Sequence, residues 1–146
     1  MVGVHLPLVG MFIFLLLLLW GLVRRSADVR QVALVGLLLS GLSTYPIVFA
    51  GEQAEDYVEE LSGIDEEQLE EHEEAGELAM QVAILTGVLA GITALAFQFQ
   101  LGLAQFLSLL TLIGVSSALG FMMVAAHEGG RIRHAVEMDA GPGIMR

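Results

Sequence analysis

Residues 78–126 read LAMQVAILTGVLAGITALAFQFQLGLAQFLSLLTLIGVSSALGFMMVAA, without one Asp, Glu, Lys or Arg. A helix needs about 20 apolar residues to cross a hydrocarbon core of about 30 Å. This stretch is long enough to cross twice. Leu78 to Phe99 is interrupted only by Gln81 and Gln98, and Leu101 to Ala126 carries Gln105 near its start, so a hairpin turning between Phe99 and Gln100 is expected. Upstream lie two more uncharged runs, Leu6 to Val23, with five consecutive leucines at Leu15 to Leu19, and Val32 to Ala50. The first run reads as a span rather than a signal peptide, because no basic residue precedes it and no small-x-small cleavage site follows.

The charge is segregated to match. Of 146 residues 55% are hydrophobic, the formal net charge is −11, and thirteen of the seventeen acidic residues fall between Glu52 and Glu77. The fold class expected is an all-α integral membrane protein: a four-helix up-down transmembrane bundle with an acidic extramembrane helical extension before the third span. As one domain over 1–146, it has spans at about 6–23, 31–50, 76–99 and 102–127, an acidic segment at 52–75 and a tail at 128–146. Nucleic acid is excluded as a partner for want of a basic footprint. With no cysteine there is no disulfide, thiolate metal site or iron–sulfur cluster. No nucleophile–base arrangement or phosphate-binding glycine loop can be assembled, so the chain reads as a non-enzyme.

Arg24, Arg25 and Arg30 lie between the first two runs, and no lysine is present. The positive-inside rule puts that turn in the cytoplasm of a bacterial inner membrane, with both termini and the acidic segment on the periplasmic side. Arg131, Arg133 and Arg146 oppose this orientation. Trp20 reads as an interface anchor. The pair Asp65 and Gln68 fits a capping box, with Ile64 stapled onto Leu69, and no proline follows before Phe99. One helix from about Glu66 to Phe99 is expected, about 50 Å long, so its first turns stand above the membrane. Glu55 to Leu61 reads as a short amphipathic helix, and Pro46 is expected to kink the second span by freeing the Leu42 carbonyl, with Ser43 and Thr44 satisfying the local backbone.

The four histidines are the candidate site. His5 opens the first run, His72 precedes the third, His127 closes the fourth, and His134 follows beyond Gly129-Gly130, read as a helix break. On this topology all four share the outer side, and His72 and His127 are equidistant from the Phe99/Gln100 turn. His72 continues the small-residue stripe Gly76, Ala79, Ala83, Gly87, Ala90 and Ala94, which includes Gly87-x-x-x-Gly91. Ser116 and Gly120 share the face of His127, and the second span offers Gly36, Ser40, Ser43 and Thr44. Both imidazoles are therefore expected to point inward. Paired imidazoles at matched height suit bis-histidine ligation of haem b, with Gly76 and Gly120 giving the porphyrin clearance. A diagonal His5–His72 pair is the wider alternative, and His134 could complete a second haem site. Zinc or copper on His72, His127, one further histidine and Glu73 or Glu128 is a competing ligand set. The remaining possibility is no cofactor, the imidazoles serving as structural hydrogen-bonding groups. A di-iron centre lacks its Glu-x-x-His, since Leu69 precedes His72 by three.

The succession Val4-His5-Leu6-Pro7, Gly51-Glu52, His72-Glu73-Glu74-Ala75 and His127-Glu-Gly-Gly-Arg-Ile-Arg-His134 resembles a group of uncharacterised small bacterial membrane proteins. They carry a four-span domain of unknown function with histidines at these span ends. Their opening motif more often reads His-Phe-Pro, from which Leu6 departs. The resemblance implies the four-span fold and singles out the histidines; it implies no activity. The function expected is an electron-transfer subunit carrying haem b, working with a larger membrane complex, its acidic segment steering a basic soluble cytochrome. A non-redox accessory subunit is the alternative, and the acidic surplus also fits a salt-adapted cell.

Overall fold

The computed structural model describes residues 5–46 and 66–139, with side chains described over 7–46 and 74–127. The expected helix at Glu55 to Leu61, the cap at Asp65 and the end of the tail lie outside the described residues. Among the described residues all regular structure is helical. The four helices are α1 (His5–Val23), α2 (Ala27–Leu42), α3 (Glu66–Gln98) and α4 (Ala104–Asp139).

The α1–α2 and α3–α4 turns are closed by the same device. Arg25 takes φ 53° after α1, and Gln100 takes φ 52° after α3. Around Arg25, the Ser26 N–H donates to the Gly21 carbonyl at 3.0 Å and the Arg25 N–H to that of Leu22 at 3.2 Å. Around Gln100, the Leu101 N–H donates to the Ala96 carbonyl at 2.8 Å and the Gln100 N–H to that of Phe97 at 3.1 Å. These paired bonds are Schellman closures, which satisfy end carbonyls that a helix cannot satisfy internally. Ser26 then caps α2, accepting from the Val29 N–H at 3.4 Å.

The helices pack antiparallel in chain order, α1 on α2, α2 on α3 and α3 on α4, with a lighter α1–α4 contact closing the ring. Close approaches set the register. Gly10 faces Ser40 and Gly36 faces Phe14 between α1 and α2; Gly41 meets Gly87 between α2 and α3; Gly114 faces Thr86 between α3 and α4. The interior combines the fully buried Met11, Leu18, Leu34 and Leu37 with smaller residues, including Ala33, Ala83, Ala90, Val115 and Ala118, and with the hydroxyls of Ser40, Thr86, Thr93, Ser108 and Thr111. Thr93 and Thr111 hydrogen-bond across α3 and α4 at 3.0 Å. Their protons can also go to the carbonyls of Leu89 and Leu107 on their own helices. Many large apolar side chains face outward: Phe12, Leu16, Leu85, Ile92, Leu95, Phe106, Leu109 and Ile113 are all exposed.

Two helical stretches are long and apolar enough to cross a membrane, Glu74–Gln98 and Ala104–His127. The other two helices are shorter. The apolar part of α1 is Pro7–Val23. The 16 residues of α2 rise only about 24 Å and carry Asp28 and Arg30 near their start. The run expected to reach residue 50 breaks at Ser43 and is helical again over residues 44–46. Pro46 has no N–H for the Leu42 carbonyl, and two hydroxyls cover the neighbouring ones: Ser43 Oγ donates to the Ser40 carbonyl at 2.8 Å and Thr44 Oγ1 to that of Gly41.

One expectation fails. Gly129-Gly130 does not break the fourth helix, which continues without interruption to Asp139. Glycine costs about 1 kcal/mol per helical position, and here good helix formers flank the pair on both sides, Ala125 and Ala126 before it and Arg131 to Arg133 after it. Residues 128–139 are therefore helix rather than tail.

Candidate functional site

Antiparallel packing carries the start of α1, the first half of α3 and the last half of α4 to one end, opposite the Arg24–Ser26 turn. All four histidines lie at that end. His5 is the first residue of α1, His72 stands in the second turn of α3, and His127 and His134 lie seven residues apart along α4. The register set by Thr86 opposite Gly114 carries His72 level with residue 128, beside His127. The Thr93–Thr111 pair carries His72 level with residue 132 instead, so His127 stands within about a turn and a half of that level.

Facing divides them. Among the described residues of α3 the buried positions are Ala79, Ala83, Thr86, Gly87, Ala90, Thr93, Ala94 and Ala96. His72 occupies the same register, two turns before Ala79; its side chain lies outside the described residues, as do those of His5, His134, Glu73 and Glu128. On α4 the buried stripe is Ala104, Ser108, Thr111, Val115, Ala118 and Met122. His127 follows Met122 by five residues, about 140° around the helix, and it is exposed. The expectation that His127 points inward is therefore corrected. Ser116 on the same face is exposed too. Its hydroxyl donates to the Leu112 carbonyl of its own helix at 2.8 Å, which leaves it no reason to seek the interior.

The two glycines expected to give clearance, Gly76 and Gly120, are uncovered. A Cβ added at Gly76 or Gly120 would meet nothing within 4 Å, so neither glycine is pressed by a neighbouring helix. The similar heights and this clearance suit a haem edge, whereas a His72–His127 pair needs His127 turned from its outward face. Among the described residues no three His, Asp or Glu groups converge to hold a metal ion. Glu74 and Glu77 are exposed, and Glu77 Oε1 accepts from Gln81 Nε2 at 2.9 Å.

At the opposite end sequence reasoning missed a second polar cluster. The Arg30 guanidinium lies over the Phe97 ring, 4.4 Å from its centroid, while Arg24 lies 5.3 Å from that of Trp20. The signal was present in three arginines near a helix start, but it was read for orientation alone. No protein-family model, curated protein or solved structure matches this chain.

Proposed function

We propose that the chain is an integral membrane protein whose four helices all cross the bilayer, and that it holds b-type haem at its histidine-bearing end as a subunit passing single electrons to a partner. The membrane reading is supported by the belt of large apolar side chains on the outside, around an interior that holds small residues and hydroxyls beside Met11, Leu18, Leu34 and Leu37. Such a belt is a liability in water and costs nothing in lipid, where close packing and interhelical hydrogen bonds hold helices together. The observation that carries the haem reading is the gathering of four histidines at one end, with His72 on the inner register of α3 near the level of His127. His72 is common to the His72–His127 and His5–His72 pairings, and the diagonal pairing is the one that leaves His127 outward. Haem b supplies a one-electron iron couple when bound by two neutral imidazoles. With every candidate ligand at one end, electrons cannot cross the membrane through this chain alone, so a partner subunit or a basic soluble cytochrome steered by Glu52 to Glu77 completes the path.

The exposure of His127, Ser116 and the uncovered Gly120 favours a second reading, a non-redox accessory subunit whose α4 face receives a helix of a larger complex. A reduced-minus-oxidised spectrum of purified protein from a haem-replete host separates the two. The expected result is a low-spin b-type spectrum, with at least one haem lost in His72→Ala, since alanine removes the imidazole and keeps the helix. Colourless native protein overturns the haem proposal and leaves the accessory one, whereas full haem content in folded His72→Ala removes His72 as a ligand and with it both pairings.

A further inference from the structure

At the arginine end an open cavity of about 540 Å³ is lined by Leu22, Arg25, Arg30, Gln105, Ser108 and Leu109. Its position follows from the two turns. The left-handed residue Arg25 closes the α1–α2 connection, and α4 starts beside it at Ala104. Arg30 is held from two sides. A Cβ on Gly21 would come within 2.9 Å of Arg30 Cγ and of its backbone nitrogen, so only glycine admits α2 this close. Phe97 lies under the guanidinium. Arg30 Nε is buried and has no hydrogen-bond partner.

The charge around the cavity is positive and uncompensated. Among the described residues neither Arg25 nor Arg30 is ion-paired; Asp28, the nearest carboxylate in sequence, is exposed in the first turn of α2. The amino-terminal ends of α2 and α4 both open at this level, adding the positive ends of two helix dipoles. Gln105 adds an amide donor. Ser108 Oγ already donates to the Gln105 carbonyl at 2.7 Å, so its hydroxyl proton is committed. Leu22 and Leu109 form an apolar wall beside these donors.

We propose that this cavity binds a phosphate oxyanion, held by the Arg25 and Arg30 guanidinium groups with the Gln105 amide. Arginine forks match phosphate geometry with paired hydrogen bonds, and Arg25 and Arg30 both line the cavity. The phosphate can belong to an anionic lipid headgroup, whose acyl chains would lie along the apolar wall, or to a free phosphate. The lipid source rests on the membrane reading; the free anion does not.

The test uses the full chain in neutral detergent and records binding isotherms for phosphatidylglycerol, phosphatidylcholine and inorganic phosphate. The expected result is phosphatidylglycerol bound at least tenfold more tightly than phosphatidylcholine. That preference is lost in the Arg25→Gln/Arg30→Gln double variant and kept in Arg24→Gln, whose guanidinium lies by Trp20 outside the cavity. Phosphatidylglycerol binding without phosphate binding assigns the lipid headgroup; phosphate binding that the double variant abolishes assigns the free anion. If the double variant fails to fold, Arg25→Gln, an exposed position, carries the test with an expected severalfold weakening. Unchanged affinity in the folded arginine variants, or no binding of either anion above phosphatidylcholine, overturns the proposal.

Discussion

At Gly41 and Gly87 two backbones touch. A Cβ on Gly41 would sit 2.5 Å from the Ala83 carbonyl oxygen and 2.9 Å from Gly87 Cα. Both obstacles are main chain, which cannot yield without parting α2 from α3. Gly41→Val is therefore expected to destabilise the folded protein by about 1–3 kcal/mol, the usual range for overpacking. Gly120→Ala, into open space, should be neutral or slightly stabilising, because alanine is the better helix former. Thermal unfolding of the two variants in detergent checks the contrast, and equal effects would contradict the packing. Gly87 was legible beforehand through its spacing to Gly91; Gly41 was not. In the sequence Gly41 differs in nothing from Gly36, which turns out to face Phe14 of α1 instead. Small residues announce that a neighbour can approach, but not which neighbour. The same ambiguity misled the reading of His127: Ser116 and Gly120 look like an inner face, yet Ala104, Ser108, Thr111, Val115, Ala118 and Met122 form the buried one.

Among the elements, α3 was legible nearly to its ends, expected from about Glu66 to Phe99 and observed over Glu66–Gln98. Its apolar period runs without a proline, and the turn after it is marked only by its left-handed residue. Gln100 holds that conformation without the freedom of glycine, at a cost of roughly 1–2 kcal/mol. Gln100→Gly should recover about 1 kcal/mol and raise the unfolding midpoint, since the Schellman bonds there are between main-chain groups and survive the change. A midpoint that falls would mean that the Gln100 side chain contributes to the turn. The ends of α2 and α4 were less legible for opposite reasons. A proline breaks the hydrogen-bond ladder outright and stops α2 early, whereas two glycines merely weaken a helix that propagation sustains through α4.

For the whole molecule, the arrangement makes a topological statement. The Arg24–Ser26 turn lies at one end and the histidines at the other, so a membrane around the bundle must separate them. The chain has no cysteine, and single cysteines placed at Arg24 and at His134 give clean reporters. In intact cells or sealed vesicles, a membrane-impermeant thiol reagent is expected to label position 134 from outside and position 24 only after lysis. Labelling of both from one side would remove the four-span arrangement, and the reverse pattern would invert its orientation. The up-down order was readable from four uncharged runs, two pairs of them joined by short turns. Which helices bear the most contact was not, because that depends on where alanine, glycine and threonine fall on each wheel.

The small residues of the interior also fix how this chain can vary. In a water-soluble bundle the surface accepts almost any change and the centre wants bulk. On the membrane reading the balance shifts: at Gly41 an added methyl meets the main chain of α3, while at Leu85, 70% exposed, or Ile113, 64% exposed, any lipid-compatible side chain would serve. A saturation library scored for folded protein would read as an inverted map, with size policed at the centre and polarity policed at the rim. Sequence drift in such a protein would run through its outward leucines and spare its buried alanines and the close-packed glycines.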